Sequence, residues 1–503
     1  MNFPGIMLNE DDSHYFSTRA GAKLTAEKVA SWVDQYADTQ VKELVLNPNC
    51  MRTSYGSKVW DPIWKGYDPA GPDDQPLFRS RPPKEWKEIR RWVHTAWQLH
   101  HDGIDPYALW IKRSREKNIS PWISMRMNDN HTVNDENAYI HSDFWKQNPQ
   151  FRRVPYRFLD GCDRAFDYGK QEVRDYHMKL VHELFERYDF DGFELDWMRH
   201  GFHFRPGYEQ EGVGLLNDFM RQVKELAKKW EQKRGHKISI SARVAVSYNT
   251  SLGLGMDAVE WARQGYVDLL VPAPFFGTID NDIRVDLWRK LVEDKKVMLA
   301  PGLEILVRPY PAYSPRHFNT LETVRGSAAS LLDKGADRIY LFNYMDSETA
   351  MEDLHNYPAL LREIGSLETI EGKFRRHILT YQDTWAPGEP QSRLLPALVG
   401  KQGWGAFRIH TGPKPESGNA TLILDIENEV KIDKETLEVR VNGEPCEFKG
   451  KMAVTKPISI HPMYGYSIPL SAMKRGYNVI ELKANEEIRI GWVEIQVNCK
   501  IDI

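Results

Sequence analysis

Cysteine is scarce in this chain of 503 residues. The four present, Cys50, Cys162, Cys446 and Cys499, stand far apart with no CxxC spacing. That pattern supports neither a disulfide framework nor a cysteine-ligated zinc site, so free thiols are expected. An excess of charge of one sign is also lacking. A formal net charge of -4 gives no reason to expect nucleic acid or an anionic membrane as the main partner. No apolar run approaches the roughly 20 residues that span a bilayer, so no membrane span is expected. The stretch "MNFPGIMLNEDDSHYF" lacks the basic n-region and long h-region of a signal peptide. A periplasmic or secreted location is favoured if a signal was removed ahead of it, and a cytoplasmic one otherwise. Internal repeats and low-complexity tracts are missing. No HxH or HExxH spacing marks a metal site, so neither metal nor cofactor is expected. The oligomeric state is left open.

What is present is globular composition, with 41% apolar and 27% charged residues. The length exceeds one ordinary core, which points to two domains. The 16 Trp and 22 Tyr are the unusual feature. Aromatic faces stack on the apolar faces of sugars, but they also fill cores.

Along the first part of the chain, short apolar runs alternate with helical patterns. The runs are "GIMLNEDD", "VKELVLNPN", "SPWISMRMNDNH", "DFDGFELDWMRH", "KISISARVAV", "YVDLLVPAPFF", "KVMLAPGLEIL" and "DRIYLFNYMD". Between them, Thr25 and Asp105 are placed to cap helices, with Pro106 at a first helical position. Residues 173, 176, 180, 184 and 188 form an apolar stripe at helical spacing. A longer helix over about 213–234 ends at Gly235. Strands alternating with helices imply a parallel sheet covered by helices. Eight repeats is the count of a (β/α)8 TIM barrel, over residues 1–370. A doubly wound open sheet is the rival, but no Gly-rich phosphate turn follows the first run. From about 376 the pattern becomes short alternating runs such as "NATLILDIENEV" and "RIGWVEIQV", with a hairpin signal at Asn442-Gly443. An all-β sandwich over 376–503 is expected, joined through a Pro/Gly-rich stretch and serving to buttress the barrel.

The fourth run raises a question, because Asp191, Glu194 and Asp196 sit among Phe, Leu and Trp. Burying a carboxylate is costly unless it is paired or put to use. Alternate strand residues point into a barrel, so Glu194 and Asp196 point the same way and Asp196 lies nearer the C-terminal rim. Asp191-Gly192 falls at the start of the strand and reads as structural. Arg126 and Arg243, on the third and fifth strands, are placed to pair with these acids. Barrel enzymes carry their chemistry on the C-terminal rim. Strand ends here repeatedly carry polar groups: Asp12, Asn47, Arg126, Asn128, Asp129, His131, Arg199, His200, Arg243, Glu304, Arg308 and Tyr344. Such a ring suits a ligand with many hydroxyls. The loops after the second, third and fourth strands add Tyr55, Trp60, Trp64, Tyr67, Phe144, Trp145, Phe202, Phe204 and Tyr208, with Trp197 beside Asp196. They read either as sugar platforms or as loop packing.

Breaking a glycosidic bond takes two carboxyl groups across the scissile bond, in environments that separate their pKa values. Asp196 and Glu304, from the fourth and seventh strands, come from opposite sides of a barrel mouth. Asp129 is a third candidate, with His131 as its assistant. Arg199 or Arg243 beside Asp196 would keep it ionised. Glu194, Arg126, Asn128, His131, Trp197, Arg199, His200, Arg243, Asn47, Asp12 and Tyr344 are then candidate substrate contacts. The arginines could also read carboxylate or sulfate groups on a substrate.

The stretches "FDGFELDWMRH" and "SMRMNDNH", with a barrel and a terminal β-sandwich, resemble the family-10-like glycosyl hydrolase proteins of bacterial polysaccharide-degrading systems. That resemblance implies a carbohydrate substrate and glycosidase activity. Chitinases carry D-G-x-D-x-D-x-E on the fourth strand, and here Met198 stands where the acid belongs. The α-amylase pattern G-F-R-L-D-x-x-x-H is similar to Gly192, Phe193, Leu195, Asp196 and His200, which implies Asp196 as nucleophile. Glu194 replaces the arginine of that pattern, and the fifth strand lacks its acid/base Glu. A non-hydrolytic carbohydrate-binding barrel stays open, as does a lyase or metal-assisted hydrolase in which His131, His200 and nearby Asp gather an ion.

Overall fold

The computed structural model describes residues 4–293, 296–314, 316–347, 351–401, 403–428, 432–433, 435–452 and 461–498. Six strands run in sequence order, each parallel to the next: β1 (Ile6–Glu10), β2 (Val41–Leu46), β3 (Ser120–Arg126), β4 (Gly192–Asp196), β5 (Ser239–Ala245) and β6 (Leu269–Ala273). The seventh, β7, is broken at Ala300-Pro301 into Met298–Leu299 and Gly302–Leu303. Proline has no N–H to give a ladder, which accounts for the break. The first half of β7 pairs with β6 and the second half with β8 (Ile339–Leu341), which in turn pairs with β1. The ring is therefore a closed eight-stranded parallel barrel.

Register decides what the barrel mouth contains. Ser124, Glu194 and Ser241 lie side by side across β3, β4 and β5, and one layer nearer the rim Arg126, Asp196 and Arg243 do the same. Strands buried on both faces read as continuous apolar runs, and the polar residues interrupting them are the inward ones. Helices cover the outside. Pro106–Glu116 begins at Asp105, whose carboxylate accepts from Ala108 N at 3.2 Å. Glu209–Arg234 ends at Gly235 in the left-handed region, φ 79°. A further helix, Trp86–His101, lies inside the long segment after β2, which the sequence pattern presents as loop. Its signal is the stripe Ile89, Trp92, Val93, Ala96 and Leu99, all buried.

The C-terminal part is all antiparallel, in a six-stranded and a four-stranded sheet with their own apolar core. Asn442 and Gly443, at φ 54° and 84°, turn the chain between Leu437–Val441 and Glu444–Pro445. Strand Arg375–Ile378 of the larger sheet packs on barrel helix Leu321–Asp333. At Gly326 of that helix an added Cβ would fall 1.9 Å from the Arg376 carbonyl oxygen. Gly326→Ala is thus expected to destabilise by about 1–3 kcal/mol through overpacking, outweighing the roughly 1 kcal/mol of helix propensity gained. Urea denaturation of the two proteins measures it, and a more stable variant would remove this contact from the account.

Cys50, Cys162 and Cys446 are free thiols, and Cys499 lies outside the described residues. Among the described residues no helix is long and apolar enough to cross a membrane.

Candidate active site

The deeper layer is closed by hydroxyls rather than by arginine. Glu194 accepts from Ser124 Oγ at 2.7 Å, Tyr340 Oη at 2.7 Å and Ser241 Oγ at 3.3 Å. Burial, with Asp196 adding like charge, pushes its carboxyl up to about 7. The expected pairing of Glu194 with a barrel arginine does not form, because Arg126 turns to the acids after β1 and Arg243 reaches across the rim.

Arg243 is the centre of the upper layer. Its Nη1 donates to both oxygens of Asp196 at 3.2 Å, and its Nη2 donates to Glu304 Oε1 at 3.1 Å and to the Pro274 carbonyl at 3.0 Å. One guanidinium thus joins carboxyl groups from β4 and from the end of β7. The two acids meet different surroundings. Asp196, 1% exposed, also accepts from Met198 N at 3.0 Å and Arg199 N at 2.8 Å, so it organises the turn that follows its strand. Glu304, 0% exposed, has no hydrogen bond of ordinary geometry at Oε2, and the Asn343 side chain acts on its carboxyl more weakly than burial does. Burial pushes the Glu304 carboxyl up to about 8, against the opposing pull of Arg243 and Arg199. Asn319 Nδ2 and Tyr344 Oη each hold the Glu304 carbonyl at 2.8 Å, so Tyr344 acts on the backbone of this acid. Thr132, His200 and Asn343, after β3, β4 and β8, all take positive φ. Such backbone strain gathers where a site is held in one geometry.

A second cluster surrounds Arg126. Its guanidinium donates to Asp11, to Asp12 Oδ1 at 3.1 Å and to Asp129 Oδ2 at 3.3 Å. Asp129 then accepts from His131 Nδ1 at 2.8 Å, and Arg199 Nη2 reaches His131 Nε2 at 2.8 Å. Those partners put the proton of neutral His131 on Nδ1. His131 and Arg126 hold the Asp129 carboxyl well below the usual range despite burial. Ligand atoms of Asp129, His131 and His200 lie within 4.8 Å of one another, close enough for a metal ion. Arg126 and Arg199 already bond two of these residues, and their fixed positive charges oppose a cation there.

At the β1–β8 edge, Ser347 Oγ lies 2.8 Å from His14 Nε2, and Glu10 Oε1 lies 2.5 Å from His14 Nδ1. The order resembles a nucleophile, base and orienting acid. Glu10 and Asp346 flank the ring, however, and push His14 up to about 10 despite burial. A protonated imidazole takes no proton from serine, so this is an ionic lock between strand ends.

A cleft of about 500 Å³ opens at the rim, and Asp129, Asp196 and Glu304 are not among the residues that line it. His200 and Phe202 line it from the segment after β4, Phe275 and Phe276 from that after β6, and Arg308 from that after β7. Cys162 lines it from the segment after β3, and much of the rest of the wall comes from residues between Tyr381 and Arg393, which lead from the barrel into the C-terminal part. Asp383 fixes this wall by accepting from the amides of Phe275, Phe276 and Gly277 at 2.9, 2.9 and 2.7 Å. No short-range pattern marks this contribution, because it comes from a distant segment.

Most of the loop aromatics pack instead of facing the cleft. Trp60 and Phe144 both stack on Tyr176, at 4.6 and 4.0 Å between centroids. Tyr55, Trp64, Trp145 and Phe204 are buried. Trp197 is buried against Tyr168, His203, Phe219 and Trp261, which places it in the core and not at the mouth. Asn47 and Asn128 are also buried and spend their amide hydrogens on backbone carbonyls, of Ser124 for Asn47 and of Phe166 and Phe202 for Asn128.

No family model matches the chain, and no curated protein matches it. Similar solved structures include a cycloisomaltooligosaccharide glucanotransferase from Paenibacillus sp., with 10% identity over 98% of this chain and 57% of that one and a TM-score of 0.34. Another is alpha-L-fucosidase isoenzyme 2 from Paenibacillus thiaminolyticus, at 11% identity over 71% and 48%, TM-score 0.41. A third is the chitinase ChiW from Paenibacillus sp. str. FPU-7, at 10% identity over 98% and 56%, TM-score 0.39. The chain thus spans about half the length of these three neighbours. The barrel assignment rests on the strand pairing itself.

Proposed function

We propose that the protein is a glycoside hydrolase of the family-10-like kind its motifs resemble, acting on an oligosaccharide or polysaccharide. Glu304 is the proton donor and Asp196 the carboxylate opposite, with Asp129–His131 as a supporting pair at the rim. The observation that carries this reading is the sharing of Arg243. Two carboxyl groups from different strands meet on one guanidinium, yet one is saturated with donors and the other keeps a bare oxygen and a pKa of about 8. A pair held in unlike environments is what acid catalysis with a second carboxylate requires. The bare Glu304 Oε2 is the place for a proton awaiting a glycosidic oxygen.

The test is a screen of plant, algal and host glycans for released reducing ends, followed by Asp196→Asn on any substrate found. The variant is expected to lose turnover by roughly 10³-fold or more while still binding. Retained activity rejects the role of Asp196. One observation favours a second reading, a barrel that binds glycans without cleaving them: both acids are shut from solvent. Glycan binding with no product, unchanged by Asp196→Asn and Glu304→Gln, would select it.

A further inference from the structure

We infer that the saccharide recognised at this mouth carries an anionic group, a carboxylate or a sulfate ester, which Arg199 and Arg308 receive. The inference rests on the reading of the mouth as a saccharide site and adds the class of sugar.

Several buried arginines of the barrel meet acids, although buried Arg153 bonds only the Phe204 and Cys162 carbonyls among the described residues. Arg126 bonds Asp11, Asp12 and Asp129, Arg243 bonds Asp196 and Glu304, and Arg338 bonds Glu43. Arg199 does not. It is 8% exposed, yet among the described residues no carboxylate lies within ion-pair distance of it. Its Nη2 is spent on His131 Nε2, and its Nε has no partner at all. The guanidinium sits over the rings of Phe275, Phe276 and Phe342, at 5.8, 5.7 and 5.6 Å. Two of those rings line the cleft. Burial and neighbouring Arg126 disfavour the charge of Arg199, Asp129, Asp11 and Glu304 oppose that without forming an ion pair, and a bound anion would complete the balance.

Arg308, half-buried on the cleft wall, also has no ion pair among the described residues. Its side chain donates to the carbonyls of Gly277 and Pro311, at 3.0 and 2.9 Å. Arg393 lines the same cleft and is exposed. Among the lining residues the single carboxylate is Asp383, and its oxygens are taken up by the amides of Phe275, Phe276 and Gly277. The cleft therefore offers guanidinium hydrogens, aromatic faces and almost no free negative charge. A planar guanidinium matches the paired oxygens of a carboxylate or sulfate. Phe202, Phe275, Phe276 and Trp385 supply the faces on which a sugar ring rests.

The experiment is calorimetric binding to two matched pairs: a uronic-acid oligosaccharide with its carboxyl-reduced twin, and a sulfated oligosaccharide with its desulfated twin. In one pair the anionic member should bind at least about tenfold more tightly, and the preference should shrink as salt is raised. Which pair shows it distinguishes carboxylate from sulfate. Arg308→Gln should cut the preference severalfold, and Arg199→Lys, which keeps the charge and loses the fork, should weaken it less. Equal binding of both members of both pairs, or no binding of any of the four, overturns the inference, and the wild-type comparison needs no variant to fold. An anionic sugar bound but never cleaved keeps this inference and removes the glycosidase reading. A neutral twin cleaved as fast as its anionic partner does the reverse.

Discussion

Glu304→Gln is expected to lower kcat/KM by about 10²- to 10⁴-fold, the share that a positioned general acid contributes. Glutamine keeps the shape and the Oε1 acceptor for Arg243 but has no proton to give. The pH profile gives a second readout. The Glu304 carboxyl is raised to about 8 by burial, so it carries its proton below that pH and loses it above. The wild-type rate should fall as pH rises through about 8. Stability has its own sign. An unfolded Glu titrates near its ordinary 4.5, so between there and about 8 the folded state holds the extra proton and stability falls with rising pH. A glutamine side chain does not titrate, so the variant should lose that slope and match or exceed the wild type in urea at pH 8. An inactive variant that is also unstable at every pH would assign Glu304 to structure. A fully active one would remove it from the mechanism.

The barrel was legible because each strand was a short apolar run bounded by helix signals, and both periodicities are local. Asp196 near the rim followed from alternation alone, and so did Glu194 one layer down. Their partners did not follow. Glu194 is closed by Tyr340, which lies in β8 and reaches it only because the ring closes. Arg126 and Arg243 flank Asp196 in register, yet Arg126 leaves it for Asp11, Asp12 and Asp129. Which acid an arginine takes depends on loop ends that the chain pattern does not place. Most of the loop aromatics pack, with Phe202 at the cleft, for a related reason. A ring in a long loop is as well buried on a neighbouring ring as on a sugar, and Trp60, Phe144 and Tyr176 satisfy one another. The opposite error concerns the join. Trp385 looked like linker because Pro and Gly follow it, and Tyr381 and Asp383 fell at the start of the expected sandwich, while Asp383 ties that segment to the amides after β6.

Arg243→Met should be the most destabilising change at the mouth. The methionine fills most of the volume beside Phe342, whose ring lies 3.8 Å from the guanidinium carbon. It supplies none of the hydrogens given to Asp196, Glu304 and the Pro274 carbonyl. Removing one partner of a buried pair leaves the other charge uncompensated, which costs about 3–5 kcal/mol. Asp196 keeps two backbone amides, so the loss should lie toward the lower end of that range. The double variant Arg243→Met with Asp196→Asn removes the stranded charge and should recover part of the loss, with a coupling of about 0.5–3 kcal/mol in a double-mutant cycle. Glu304 responds in the other direction. Arg243 pulls its pKa down, so without the guanidinium the carboxyl rises further and the alkaline limb of any residual activity moves to higher pH. Urea midpoints for the four proteins of the cycle decide the matter. A loss below about 1 kcal/mol for Arg243→Met, well under the cost of stranding a buried charge, or no recovery in the double variant, would mean that Arg243 does not hold the two acids together.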